Sequence, residues 1–87
     1  MMQANLRDAI VEDIFKKVEM GMTYDLNGVV REDIEYTGLY ITKENGVKTI
    51  MVSFVLLRNR NEEYETELLD GPLDVIVDIY NTLFGSI

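Results

Sequence analysis

Leu39 and Ile41 before Asn45-Gly46, and Ile50, Val52, Phe54 and Leu56 after it, recur at every second position. A period of two is that of a half-buried strand. Asn-Gly supplies the positive φ that both central positions of a type I′ turn require. The two runs therefore predict a β-hairpin that pairs Glu44 with Val47, Thr42 with Thr49 and Tyr40 with Met51. In that register Leu39, Ile41, Ile50, Val52, Phe54 and Leu56 share a core face. The opposite face carries Tyr36, Tyr40, Thr42, Thr49, Met51, Ser53, Val55 and Leu57. Tyr36, Tyr40, Met51, Val55 and Leu57 are too many apolar groups for a wet face, so the pattern predicts a cover. The cover is either intramolecular, from a helix or residues 22–35, or a second copy or partner, which aromatic and Met content favours.

The stretch NEEYETELL, residues 61–69, alternates as well, with Tyr64, Thr66 and Leu68 between Glu63, Glu65 and Glu67. An even connection to the preceding strand would turn the three carboxylates into the core, where an isolated charge is far too costly. A three-residue loop, Asn59-Arg60-Asn61, avoids this and pairs Leu56 with Tyr64, Phe54 with Thr66 and Val52 with Leu68. Glu63, Glu65 and Glu67 then form an outward row beside Leu57, Val55 and Ser53.

Helical spacing marks both ends of the chain. Leu6, Ala9, Ile10, Ile14 and Val18, widened by Val11 and Phe15, make an apolar stripe behind an Asn5 N-cap, with Asp8 three residues on and Gly21 as the expected stop. Glu12 and Lys16, and Asp13 and Lys17, are i,i+4 pairs in the favourable order. After Gly71-Pro72, Asp74, Asp78, Asn81 and Gly85 form a narrow polar stripe on an otherwise apolar segment, which predicts a second helix buried on most sides, with a strand as the competing reading of DVIVDIY. In residues 22–35, Asn27-Gly28 between Leu26 and Val29 reads either as a short hairpin or as an irregular connection. The expected architecture is α+β, one domain over residues 1–87: a helix, a three-stranded antiparallel meander and a helix, with both helices on one face of the sheet.

Composition narrows the chemistry. The 87 residues are 47% hydrophobic and carry neither Cys nor His. These absences remove disulfides, the commonest zinc and copper ligands, and the usual neutral-pH general base. An enzyme is not expected, because the remaining carboxylates, lysines and tyrosines form no assembled site. No cofactor is expected. DLNGVVREDIE is a faint echo of a calcium loop, lacking a ligand before its glycine and the spacing to a bidentate Glu, so it reads as a turn and not a metal site. Asp8, Glu12 and Asp13 interrupt the N-terminal apolar positions, no run approaches a membrane span, and the chain reads as cytoplasmic.

The net charge of −8 repels nucleic acid and anionic membranes and attracts basic proteins. Arg58 and Arg60 beside Asn59 and Asn61 read as solubilising loop residues and not as a phosphate site. A helix, meander and helix is similar in topology to the double-stranded-RNA-binding domain, but that family's basic helix start has no counterpart here. In size, charge and the combination of helices with a small meander, the chain is similar to small acidic inhibitors of phage and mobile-element origin such as anti-CRISPR proteins, with no sequence motif tying it to them. The expected function is binding. The bland reading of the acidic row is a solvated, aggregation-resistant edge. The functional reading is a partner surface of Glu63, Glu65, Glu67, Tyr36, Tyr40, Met51 and Val55 that docks a basic protein. The rival is a homodimeric assembly protein joined through the apolar outer face.

Overall fold

The computed structural model describes residues 5–85. The Asn5 side chain accepts a hydrogen bond from the Arg7 amide at 2.8 Å, opening α1 (Leu6–Lys17) as its spacing predicts. Both expected pairs lie along this helix, Lys16 to Glu12 at 3.7 Å and Lys17 to Asp13 at 2.9 Å. The helix ends before Gly21: Val18 is already extended, and its buried side chain directs the chain onto the sheet.

Four antiparallel strands follow, β1 (Thr23–Arg31), β2 (Ile34–Glu44), β3 (Val47–Leu56) and β4 (Asn59–Glu67), in the spatial order β1-β2-β3-β4. A 3-10 turn (Leu68–Asp70) leads to α2 (Leu73–Phe84). The meander thus has four strands where three were expected, and this also departs from the helix, three strands and helix of the double-stranded-RNA-binding topology. The added strand comes from residues 22–35. Asn27-Gly28 makes a bulge in β1, with Gly28 at φ +94° and the register shifting between Asp25 and Val29, while the chain reverses at Glu32-Asp33 with Glu32 at φ +54°.

The β2–β3 hairpin has the predicted register, from Glu44 opposite Val47 through Tyr40 opposite Met51 to Leu39 opposite Val52. Asn45 and Gly46 take positive φ, +52° and +80°, as a type I′ turn demands. Three expectations are corrected. A bulge at Thr37 shifts the register between Tyr36 and Gly38, so Tyr36 pairs with Phe54 and turns into the core at 8% exposure instead of standing on the outer face. The β3–β4 connection is a tight turn at Leu57-Arg58 followed by three extra residues on β4. The odd count keeps Glu63, Glu65 and Glu67 outward, but the pairing slides by two: Phe54 faces Tyr64 and Val52 faces Thr66. Leu57 lies in that turn and not on the sheet face.

Both helices pack on the predicted face. Ile10, Ile14, Leu39, Ile50, Val52, Leu68, Val75, Ile76 and Ile79 form one core, with Ile14, Leu26, Leu39, Ile76 and Ile79 fully buried. A clasp joins the helices at its margin: Lys17 Nζ donates to the Tyr80 hydroxyl at 2.7 Å, the Tyr80 hydroxyl donates to Asp13, and Lys17 lies 5.0 Å from the Tyr80 and Phe84 ring centres. These hydrogen bonds hold the Asp13 carboxyl below its ordinary range and raise the Lys17 amine, with Tyr80 the main cause in each. No helix among the described residues is long and apolar enough to cross a membrane.

Candidate functional site

With both helices on one side, no element among the described residues lies over the other face of the sheet. Strand pairing places Val55 opposite Glu63, Ser53 opposite Glu65 and Met51 opposite Glu67 on that face, and continues it through Tyr40 on β2, opposite Met51, to Thr23 on β1. The structure therefore gathers Glu63, Glu65, Glu67, Tyr40, Met51 and Val55, as the alternation implies, and removes Tyr36. The intramolecular cover, one of the two readings the pattern allows, is not found among the described residues: residues 22–35 lie in the plane of the sheet as β1 and the start of β2.

The face divides into two ends with different chemistry. Near the β1–β2 and β3–β4 turns, side chains bridge over β3. Arg60 on β4 reaches Glu35 on β2 at 2.6 Å, and Thr37 Oγ1 donates to Glu63 at 2.9 Å while lying 2.9 Å from Ser53 Oγ. These bridges span β3 above Val55 and Ser53, which explains how both are 8% exposed on a face without a covering element. Gly38 makes the close approach possible, because a Cβ there would sit 3.0 Å from Ser53 Oγ. Arg58 pairs with Asp33, fastening the two turns, so neither Arg58 nor Arg60 is a free loop cation.

Toward the β2–β3 turn the face opens. Tyr40 and Met51 are half-buried, and Glu65 and Glu67 stand exposed beside them. Burial pushes the Tyr40 phenol up to about 12, with the Glu65 carboxylate next in effect and Glu63 adding to it. Tyr40 is thus a neutral hydroxyl among carboxylates, able to donate a hydrogen bond at any physiological pH. None of the ion pairs among the described residues reaches Glu63, Glu65 or Glu67. Arg31, the remaining sheet arginine, is taken by Asp74 of α2.

This arrangement offers charge, one phenol donor and a small apolar surface. No three carboxylates among the described residues converge closely enough to hold a metal ion. Sequence reasoning placed Ser53 on the face but missed Glu35, Thr37 and Arg60, because their bridges depend on the bulges at Thr37 and at Arg60-Asn61-Glu62. Comparison with protein-family models, with curated proteins and with solved structures returns no match for the chain.

Proposed function

We propose that this protein acts by binding, as a non-enzymatic module that docks a basic surface of another protein, in the manner of small phage or mobile-element inhibitors of nucleic-acid-binding proteins. One observation carries the reading: Glu63, Glu65 and Glu67 stand in a row on an uncovered sheet face, without a basic partner among the described residues, beside the half-buried Tyr40 and Met51. A surface of this kind steers association with a cationic partner and then buries a small dry patch at its centre. The cytoplasm, where nucleic-acid-binding proteins are abundant, is the compartment this reading implies.

A homodimer through the same face is the weaker reading. Tyr36 has turned into the core and Val55 is screened by the Arg60 to Glu35 bridge, which shrinks the apolar patch such a dimer needs. Two copies face to face would also bring their carboxylate rows together. Sedimentation should find a monomer at high concentration. The docking reading is tested by capturing proteins from the native host with the wild type and with the Glu63→Lys, Glu65→Lys, Glu67→Lys triple variant. A basic partner captured by the wild type alone, whose association slows as salt rises, is the expected result. Equal capture by both forms, or an acidic partner, would falsify it.

A further inference from the structure

β4 ends opposite Met51, but β3 continues to Val47. Over Val47–Ile50, β3 pairs with β2 on one side and has no strand on the other among the described residues. After Glu67 the chain leaves the strand for the 3-10 turn, which stays against β3: Leu68 is buried in the core at 1% exposure, and Leu69, 41% exposed, borders the same notch as Lys48, Thr49 and Ile50. Between this unpaired edge and α1 lies a half-open cavity of about 180 Å³. Val11, Phe15 and Ile50 form its apolar floor, and Leu69, Lys48 and Glu67 stand at its rim.

Three properties of this notch specify what fits it. Its volume suits a single aromatic ring, since an apolar cavity of about 150 Å³ accepts benzene, and it is smaller than the roughly 300 Å³ at which sites for whole small molecules begin. Its wall is a strand edge whose outward backbone groups have no strand partner, which favours an extended segment adding alongside. Its rim carries Lys48 and, on the side of the acidic row, Glu67, the last carboxylate of that row, which favours a basic residue beside the ring on that side. We infer that the notch between α1 and the Val47–Ile50 edge docks one aromatic side chain carried on an extended basic segment of the partner protein. The partner's charge rests on the docking function proposed above; the aromatic anchor and the added strand do not.

The probe is the synthetic peptide Ac-Lys-Val-Phe-Val-Lys-NH2, titrated into the labelled protein at low salt and followed by NMR, beside the same peptide with Ala for Phe. Binding should shift the amides of Lys48, Thr49 and Ile50 and the methyl groups of Val11 and Leu69, and the Ala peptide should bind about ten- to a hundredfold more weakly, the worth of burying one ring. Leu69→Trp places a ring in the notch from its exposed rim and should abolish those shifts. If that variant melts early, the two peptides on the wild-type protein decide alone. Equal affinity for both peptides, or shifts confined to the outer face, overturns the inference. In the Glu63→Gln, Glu65→Gln, Glu67→Gln variant the preference for Phe over Ala should persist while both affinities fall. Unchanged affinities there would count against the acidic docking face and leave the notch standing.

Discussion

Exchanging two neighbouring residues tests the placement of the acidic row without altering composition or net charge. In the double variant Glu65→Thr, Thr66→Glu, the outward carboxylate moves to the core side, opposite Val52, which is 2% exposed. The Glu65→Thr half concerns an exposed outward position and should change stability by no more than about 0.5 kcal/mol. The Thr66→Glu half places a carboxylate at a half-buried site on the helix-packed face. Its cost has a ceiling at neutral pH, because the group takes up a proton once desolvation exceeds the work of doing so. From an ordinary Glu value near 4.3 to pH 7 that work is about 3.7 kcal/mol. The expected loss at pH 7 is therefore about 2 to 4 kcal/mol, a large part of the roughly 5 to 15 kcal/mol that holds a small domain together. The introduced group is raised in the folded state, so its penalty is absent below the unfolded value and grows as pH rises toward the folded one. Urea unfolding followed by circular dichroism at pH 7 and at about pH 4.5 should show a gap from the wild type that shrinks in acid. A swap as stable as the wild type at pH 7 would refute the register, and a gap independent of pH would refute the mechanism.

Ile76→Ala empties a fully buried position and should cost about 2 to 5 kcal/mol in chemical denaturation, whereas Val30→Ala, on a 49% exposed residue, should cost little. Alkaline difference spectroscopy should find Tyr40 titrating near pH 12 and moving down in Glu65→Gln; because its phenol is raised in the fold, the stability it contributes is complete below about pH 10 and is lost as pH climbs past that value. Tyr80→Phe should return the Asp13 carboxyl toward its ordinary value in an NMR titration. Since that carboxyl is lowered in the fold, its contribution is present above about pH 4 and vanishes as pH falls, so the variant should lose less stability on acidification.

The hairpin at Asn45-Gly46 was legible because two residues with a strong positive-φ preference sit at the centre of two alternating runs. The same dipeptide at Asn27-Gly28, open between a hairpin and an irregular connection, proves to be neither: the positive φ of Gly28 serves a bulge and the strand runs on. The true β1–β2 turn at Glu32-Asp33 uses no glycine, and a Glu at φ +54° leaves no trace in a sequence pattern. The face of β4 was readable from the cost of burying carboxylates, which depends only on parity. Its register was not, because a two-residue turn with a three-residue bulge and a plain three-residue loop give the same parity. For the candidate site, Glu63, Glu65, Glu67, Tyr40, Met51 and Val55 follow from alternation, while Tyr36 was lost to a single extra residue at Thr37 that reverses every side chain beyond it.

Every strand of the meander pairs with its neighbour in the chain, and among the described residues the two ends are clasped at the helices, where Tyr80 binds Lys17 across 63 positions and Asp13 across 67. The order of assembly follows from this. Each hairpin closes a short loop, but bringing α2 to α1 closes nearly the whole chain, and that entropy is recovered only once the sheet presents its surface to both. Docking of the helices should therefore come after the rate-limiting barrier. Stopped-flow kinetics on Tyr80→Phe should show unfolding accelerated by nearly the full change in stability and a folding rate close to the wild type, a φ-value near zero. An equal slowing of folding would mean that the ends of the chain meet first and the sheet forms between them.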